Sequence, residues 1–369
     1  MGTDYLDLPQ ERCVNHFPDF LFSKLLNYLK WIENSDGLLP LDAKPLLPII
    51  ERLTRFINES IEAYYCGSQI ESYKILEKGL NGIKNYLISE IRPQYDTSEA
   101  FYRIRQGNTN TYSKEQMFHV PFDLREYSNQ GRYSLAGNPC LYIADSVYTC
   151  WLELNKPSIE QCQISKIELP KNNYKFIDFS WYPRRFIKYV AANIATSQST
   201  SDIAYYHKRL ESFLVTWPLQ FTSSIRTKYS DAPFKPEYII PQFIMQWIKD
   251  HNEVDGIKYF SSKLSSMEPE INSTYTNIAI PVKSSKKDGH CEILKEKYIL
   301  TEPINMKLLF NNEPNFERSY TPKDAMYWLN KHGTAIGKID NGMAQKSYSE
   351  TLYGLIETKL SKMEASKLL

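Results

Sequence analysis

Between Phe17 and about Glu90, apolar side chains return every three or four positions, the spacing of one buried helix face. Three segments carry it: FLFSKLLNYLKWIE, then PLLPIIERLTRFINESIEAYY ending at Gly67, then SQIESYKILEKGLNGIKNYLISEI ending before Pro93. In the third, Ser68 and Glu71 have capping-box spacing, and Ile70, Tyr73, Leu76, Leu80, Ile83 and Leu87 form one stripe. Gly79 and Gly82 weaken this helix in isolation, so close packing against a neighbour is expected to hold it. The pattern predicts an all-helical N-terminal module over residues 1–95, closing at the linker RPQYDTSE.

Beyond the linker the texture changes to short apolar or alternating runs of strand length. They are AFYRIR (Ala100–Arg105), PCLYIA (Pro139–Ala144), QISKIEL, YKFIDF, GIKYFS, TNIAIPV and KYILT. Two helices are expected near Pro183–Ala195 and Asp202–Trp217, separated by TSQSTS. A third, PQFIMQWIKDH, has Pro241 in its first turn, where a missing N–H is harmless. Strands and helices without regular alternation predict an α+β domain over residues 96–369.

Composition narrows the partners. The 369 residues are 42% apolar, and 44 Lys+Arg against 43 Asp+Glu leave a formal charge of +1, without the basic excess of a polyanion binder. The cluster KSSKK at Lys283–Lys287 reads as a solvated loop, so nucleic acid is expected only as a target of modification. Cysteines at 13, 66, 140, 150, 162 and 291 show no C-x-x-C pair, and no paired histidine spacing accompanies them; neither a metal site nor a disulfide framework is indicated. Reduced thiols, the absence of a signal-peptide pattern and the lack of any apolar run near 18 residues predict a cytoplasmic protein that does not enter a membrane.

Candidate chemistry concentrates in GRYSLAGNPCLYIADSVYTCWLELN, Gly131–Asn155. Asp145 or Ser146 can cap a helix running to about Asn155, with Val147, Trp151 and Leu154 facing a core. Glu153 shares a side with Thr149 and Cys150, which puts a carboxylate at the edge of the buried stripe. Arg132 follows a glycine in a loop able to approach a ligand closely, and guanidinium geometry suits a two-point grip on phosphate. Tyr142 lies on the strand face of Cys140 and can offer its ring to the same cleft.

These residues resemble the core of the RES domain family, named for its arginine, glutamate and serine. The matching elements are Gly131-Arg132-Tyr133, Gly137-Asn138-Pro139, Leu141-Tyr142-Ile143-Ala144 and Leu152-Glu153. Upstream, Phe101-Tyr102-Arg103-Ile104 resembles the family's opening strand; downstream, Gly256-Ile257-Lys258-Tyr259-Phe260-Ser261 resembles the segment delivering its serine. Tyr133 and Ser134 replace the usual tryptophan and asparagine, and spacing from Tyr259 favours Ser261 over Ser262. The likeness covers about Ala100 to Leu360 and does not extend to the helical module.

The resemblance implies an ADP-ribosyltransferase-like mixed-sheet catalytic domain that breaks down NAD as its substrate, without a metal. The family often supplies the toxin of a toxin–antitoxin pair, so an antitoxin or regulatory partner and a homodimer are implied too. Glu153 would steady an oxocarbenium-like ribose, the charge that develops when a glycosidic bond breaks. Arg132 and Arg103 would bind phosphates, and Tyr142 and Ser261, walled by Tyr133, would orient the nicotinamide riboside end. Two alternatives stay open: transfer of ADP-ribose to a protein or nucleic acid, and a non-catalytic nucleotide-sensing or interaction protein. For the helical module, an inhibitory or recruiting role and a structural cap are both expectations.

Overall fold

The computed structural model describes residues 3–88, 100–107, 109–128, 131–169, 174–229, 231–263, 275–316, 338–340 and 345–368. The expected linker at 92–99 lies outside the described residues. The N-terminal helices are α1 (Phe17–Glu33), α2 (Leu47–Tyr65), α3 (Gln69–Gly82) and α4 (Lys84–Leu87). There follow β1 (Ala100–Gln106), α5 (Lys114–Met117), β2 (Cys140–Ala144), α6 (Val147–Glu153), β3 (Cys162–Glu168) and β4 (Phe176–Phe179). Helices α7 (Pro183–Thr196), α8 (Thr200–Ser224) and α9 (Ile239–Asp250) precede β5 (Gly256–Phe260), β6 (Thr276–Pro281) and α10 (Glu292–Lys297). The chain closes with β7 (Ile299–Thr301), β8 (Ile304–Asn305), α11 (Met306–Asn312), β9 (Lys338–Asp340), β10 (Gln345–Ser347), α12 (Leu352–Ser361) and β11 (Ala365–Ser366).

Two compact units emerge, each discontinuous in sequence. The first joins Met1–Glu90, Gly131–Tyr133 and Ile177–Ile248; the second joins Ile91–Gln130, Ser134–Phe176 and Lys249–Leu369. The helices α7 and α8, and α9 up to Ile248, thus sit with the N-terminal helices, where the hydrophobic pattern alone had placed them after the boundary at residue 95.

In the first unit Trp217 of α8 stacks on Tyr28 of α1, with centroids 4.1 Å apart, and on Phe221 at 5.3 Å; its indole N–H donates to the carbonyl of Leu6 at 3.1 Å. Helix α8 runs past the expected end at Trp217, with Pro218 inside it. Proline has no N–H for the carbonyl four residues back. That carbonyl belongs to Leu214, and the Tyr28 hydroxyl donates to it at 2.6 Å, so the helix continues without a buried orphan acceptor.

The segment expected as one third helix is divided at Ile83 into α3 and α4, and together they keep most of the predicted stripe. Leu76, Leu80, Ile83 and Leu87 are buried, and a methyl group on Gly79 would meet the Phe56 Cβ at 3.1 Å, so the glycine does permit close approach to α2. Two details differ from expectation. Ile70 is 75% exposed, and the Ser68 side chain makes no capping bond. The Ser68 N–H instead donates to Ala63 O at 3.0 Å, closing the end of α2 around Gly67 with its φ of +87°, and so cannot serve Glu71. A capping box forms elsewhere, between Ser113 and Gln116 at the start of α5.

The second unit is built on a sheet in which β11, β7, β3, β1, β2, β6 and β5 lie side by side and β8 also pairs with β3. These pairings are antiparallel. One core cluster joins Phe101, Leu141, Ile143, Ile167, Ile278 and Ile280 to Phe118, Phe122 and Tyr298; another joins Tyr102, Ala144 and Ile164 to Val147, Met306 and Ile356. Alternation of side chains along each strand assigns these clusters to opposite faces. The result is a mixed α/β unit with helices packed against a sheet whose pairings from β11 to β5 are antiparallel.

His119 is fully buried beside the first cluster. Its Nε2 accepts from the Cys291 N–H at 2.9 Å and its Nδ1 faces Val120 O at 2.7 Å, which fixes a neutral ring protonated at Nδ1. Burial pushes its pKa down from 6.5 to about 4. The unfolded chain therefore binds a proton between those values that the folded chain does not, so stability is intact above 6.5 and falls as pH drops toward 4. The expected loss approaches roughly 3 kcal/mol over that window. Urea denaturation of the wild type at pH 8 and pH 5, against His119→Gln, checks it: the variant should be weaker at pH 8 and show less pH dependence.

Candidate functional site

The site is assembled on one face of β2, β6 and β5. In this register Tyr142 stands opposite Ala279, Ala144 opposite Asn277, and Asn277 opposite Tyr259. Partnered residues share a face, so Tyr142, Asn277 and Tyr259 point the same way. Ser261, two residues beyond Tyr259, continues the alternation, and its N–H donates to Tyr275 O at 2.9 Å.

Glu153 reaches this face from α6. Ser146 is the cap, its hydroxyl accepting from the Thr149 N–H at 3.1 Å, while Asp145 braces the strand end by accepting from the Thr276 N–H at 3.0 Å. The helix starts on Glu357, a fully buried acid whose carboxylate accepts from the Val147 N–H at 2.7 Å and the Tyr348 hydroxyl at 2.5 Å. α6 is enclosed on more than one side: Thr149 and Cys150, expected on the side of Glu153, are buried, and the Cys150 thiol donates to Tyr102 O at 3.1 Å. Two clusters grip the helix, one through Val147 and Cys150, the other through Leu152 with Tyr148 and Trp151.

The Glu153 side chain keeps 29% of its surface exposed. Its Oε1 accepts from the Asn277 amide N–H at 2.8 Å, and the Lys263 ammonium lies 3.9 Å from Oε2. Lys263 also donates to the Glu153 carbonyl and, at 2.8 Å, to Asn155 Oδ1, closing the C-terminal turn of α6 with a cation where the helix dipole favours one. Burial lowers the Lys263 pKa, and Glu153 opposes that shift. The Ser261 hydroxyl is fully buried and accepts from the Lys263 N–H at 3.3 Å. Tyr142 is half-buried, its hydroxyl 2.8 Å from that of Ser134.

Arg103 approaches from β1. That strand pairs with β3 along its whole length but bridges β2 only at Tyr102 and Ala144. Beyond that pair the Arg103 guanidinium donates through NH1 to Tyr142 O at 2.6 Å, while its Nε is buried without a partner. Burial, with Arg105 beside it, lowers its pKa to about 9, and it stays charged at neutral pH. Among the described residues no carboxylate pairs with it.

Arg132 and Tyr133 belong to the first unit. Arg132 donates to the carbonyls of Ser223 at 3.1 Å, Ile225 at 2.9 Å and Glu237 at 3.4 Å, and lies over the Tyr238 ring at 5.0 Å. It caps the C-terminus of α8, and Tyr133 is buried at 1% exposure. Arg132→Ala should destabilise the protein by about 2 kcal/mol, since a charged donor to several carbonyls is lost. Chemical denaturation of the variant measures it.

Tyr142, Glu153 and Ser261 therefore meet on one sheet face, Arg103 adjoins them through the backbone of Tyr142, and Arg132 and Tyr133 lie in the other unit. Asn277 and Lys263 were missed by sequence reasoning. The signal for Asn277 was present: it is the one amide inside TNIAIPV, a run otherwise fit for burial on both faces. Among the described residues no cluster of His, Cys, Asp and Glu could hold a metal ion, and no helix is long and apolar enough to cross a membrane.

No family model matches the chain, and no solved structure matches it. A curated protein of Bacillus subtilis (strain 168), described as "Putative toxin YopC", is 31% identical over 353 residues, covering 91% of this chain and 78% of that protein. Identity at that level across nearly the whole length spans both units, and the chain belongs to the family of that Bacillus subtilis protein.

Proposed function

We propose that this protein is a toxin that breaks the nicotinamide–ribose bond of NAD. The observation that carries the reading is the setting of Glu153: a partly exposed carboxylate, held through one oxygen by Asn277, on a face shared with Tyr142 and Ser261. Departure of neutral nicotinamide leaves positive charge on the ribose, and a pre-oriented carboxylate stabilises it without having to reorganise. Tyr142 stacks on or hydrogen-bonds the nicotinamide riboside end, Ser261 orients it, and Arg103, with its unpaired Nε, attracts the phosphates. Arg132 would have to release the end of α8 to bind phosphate, so in this reading it supports the fold of its own unit. The relative's description as a toxin supports growth arrest as the outcome, and the likeness to the RES family supports an ADP-ribosyltransferase-like sheet and NAD as the substrate.

Incubating the purified full-length chain with NAD tests it. Nicotinamide should be released, with ADP-ribose or its phosphate adduct as co-product. NAD left intact would remove the reading; one ADP-ribosyl mass added to a protein or nucleic acid would direct it to transfer.

A further inference from the structure

We propose that Asn277 is the positioning residue for Glu153, fixing which carboxylate oxygen faces the substrate; the inference rests on Glu153 being the catalytic acid. Asn277 is 4% exposed on a face of β6 that otherwise carries Ala279 and Pro281, where an amide without a task would be disfavoured. Its Nδ2 donates to Oε1 of Glu153 at 2.8 Å, and a carboxylate can only accept, so the amide orientation is fixed by its partner. The backbone of β6 that carries it is tied on both sides, opposite Ala144 on β2 and Tyr259 on β5, so the donor is set on the rigid sheet. With Oε1 held there, Oε2 is the oxygen left to the ribose, and Lys263 is the cation that faces it, at 3.9 Å. Lys263 secures the last turn of α6 and Asn277 secures the side chain, so two independent elements converge on one acid.

Asn277→Asp and Asn277→Leu separate this role from packing. Asp keeps the shape but puts two carboxylates within hydrogen-bond distance, and their repulsion raises the pH at which the pair takes up one proton above the ordinary carboxylate range while leaving both ionised at neutral pH. At neutral pH the Asp variant should lose about 10- to 100-fold in kcat for NAD cleavage with little change in KM. It should recover on acidification, when the shared proton restores a donor to Oε1. The Leu variant should show the loss without the recovery. Glu153→Gln is measured alongside: if it keeps full activity, Glu153 is not the catalytic acid and both readings fall. If it is inactive while Asn277→Asp matches wild type at neutral pH, or is impaired without recovery in acid, the positioning role is overturned and the assignment of Glu153 stands.

Discussion

Glu153→Gln should slow the proposed NAD cleavage by about a thousandfold, equivalent to about 4 kcal/mol of transition-state stabilisation. The substitution is chosen because it removes charge and little else. A glutamine carbonyl oxygen can still accept from Asn277 at the position of Oε1, so the side chain keeps its anchor. What disappears is the negative charge that the proposed mechanism sets beside the ribose as it becomes electron-poor. The loss should fall on kcat, since a group that acts on charge developing in the transition state contributes less to ground-state binding. Steady-state kinetics of nicotinamide release, with folding checked by circular dichroism, give the answer, and a rate equal to wild type would end the assignment.

The second large effect is structural. Gly256 opens β5, and a Cβ built on it would lie 2.4 Å from Ala279 O and 3.2 Å from Ile280 Cα on the neighbouring strand. The obstacle is the backbone of β6, hydrogen-bonded to β2 on its other side, which cannot swing aside as a side-chain tip would. Gly256→Ala should therefore pull β5 from β6 and destabilise the second unit by about 3 kcal/mol, at the severe end of overpacking. Because Ser261 directly follows β5 and Asn277 sits on β6, the proposed NAD cleavage should fall with stability. Denaturant titration of the variant checks the first; a midpoint equal to wild type would show that the strands can separate at little expense.

The strands of the second unit were legible because apolar runs bounded by turn residues have few other uses; each run from AFYRIR to KYILT became a strand. Helix ends were less legible, since they depend on bonds between distant segments. Pro218 reads as a stop until the Tyr28 hydroxyl is found on the carbonyl that the proline leaves free, that of Leu214, 186 residues from Tyr28. Ser68 and Glu71 have capping-box spacing, yet the N–H they need is already taken by the end of α2. At the candidate site, strand alternation was enough to expect the side of β2 that carries Tyr142, and helix spacing put Glu153 at an edge of the buried stripe. Sequence spacing could not reveal that Arg132 folds onto the end of α8, because Ser223 and Ile225 lie about ninety positions downstream. Local pattern sets the elements, whereas the destination of a long, multi-donor side chain is a tertiary matter.

The interleaving of the two units has a practical consequence for genetic dissection. The chain enters the helical unit, leaves it, returns for Gly131–Tyr133 and returns again at Ile177. No single cut yields either half intact: a fragment starting after residue 95 would keep Trp217 but lack Tyr28, its stacking partner, and would strand α8 with a bare apolar flank. Insoluble or inert truncations are the expected product of such cloning, and they would say nothing about inhibition by the N-terminal helices. Point substitutions in the intact polypeptide are the informative way to ask what those helices do.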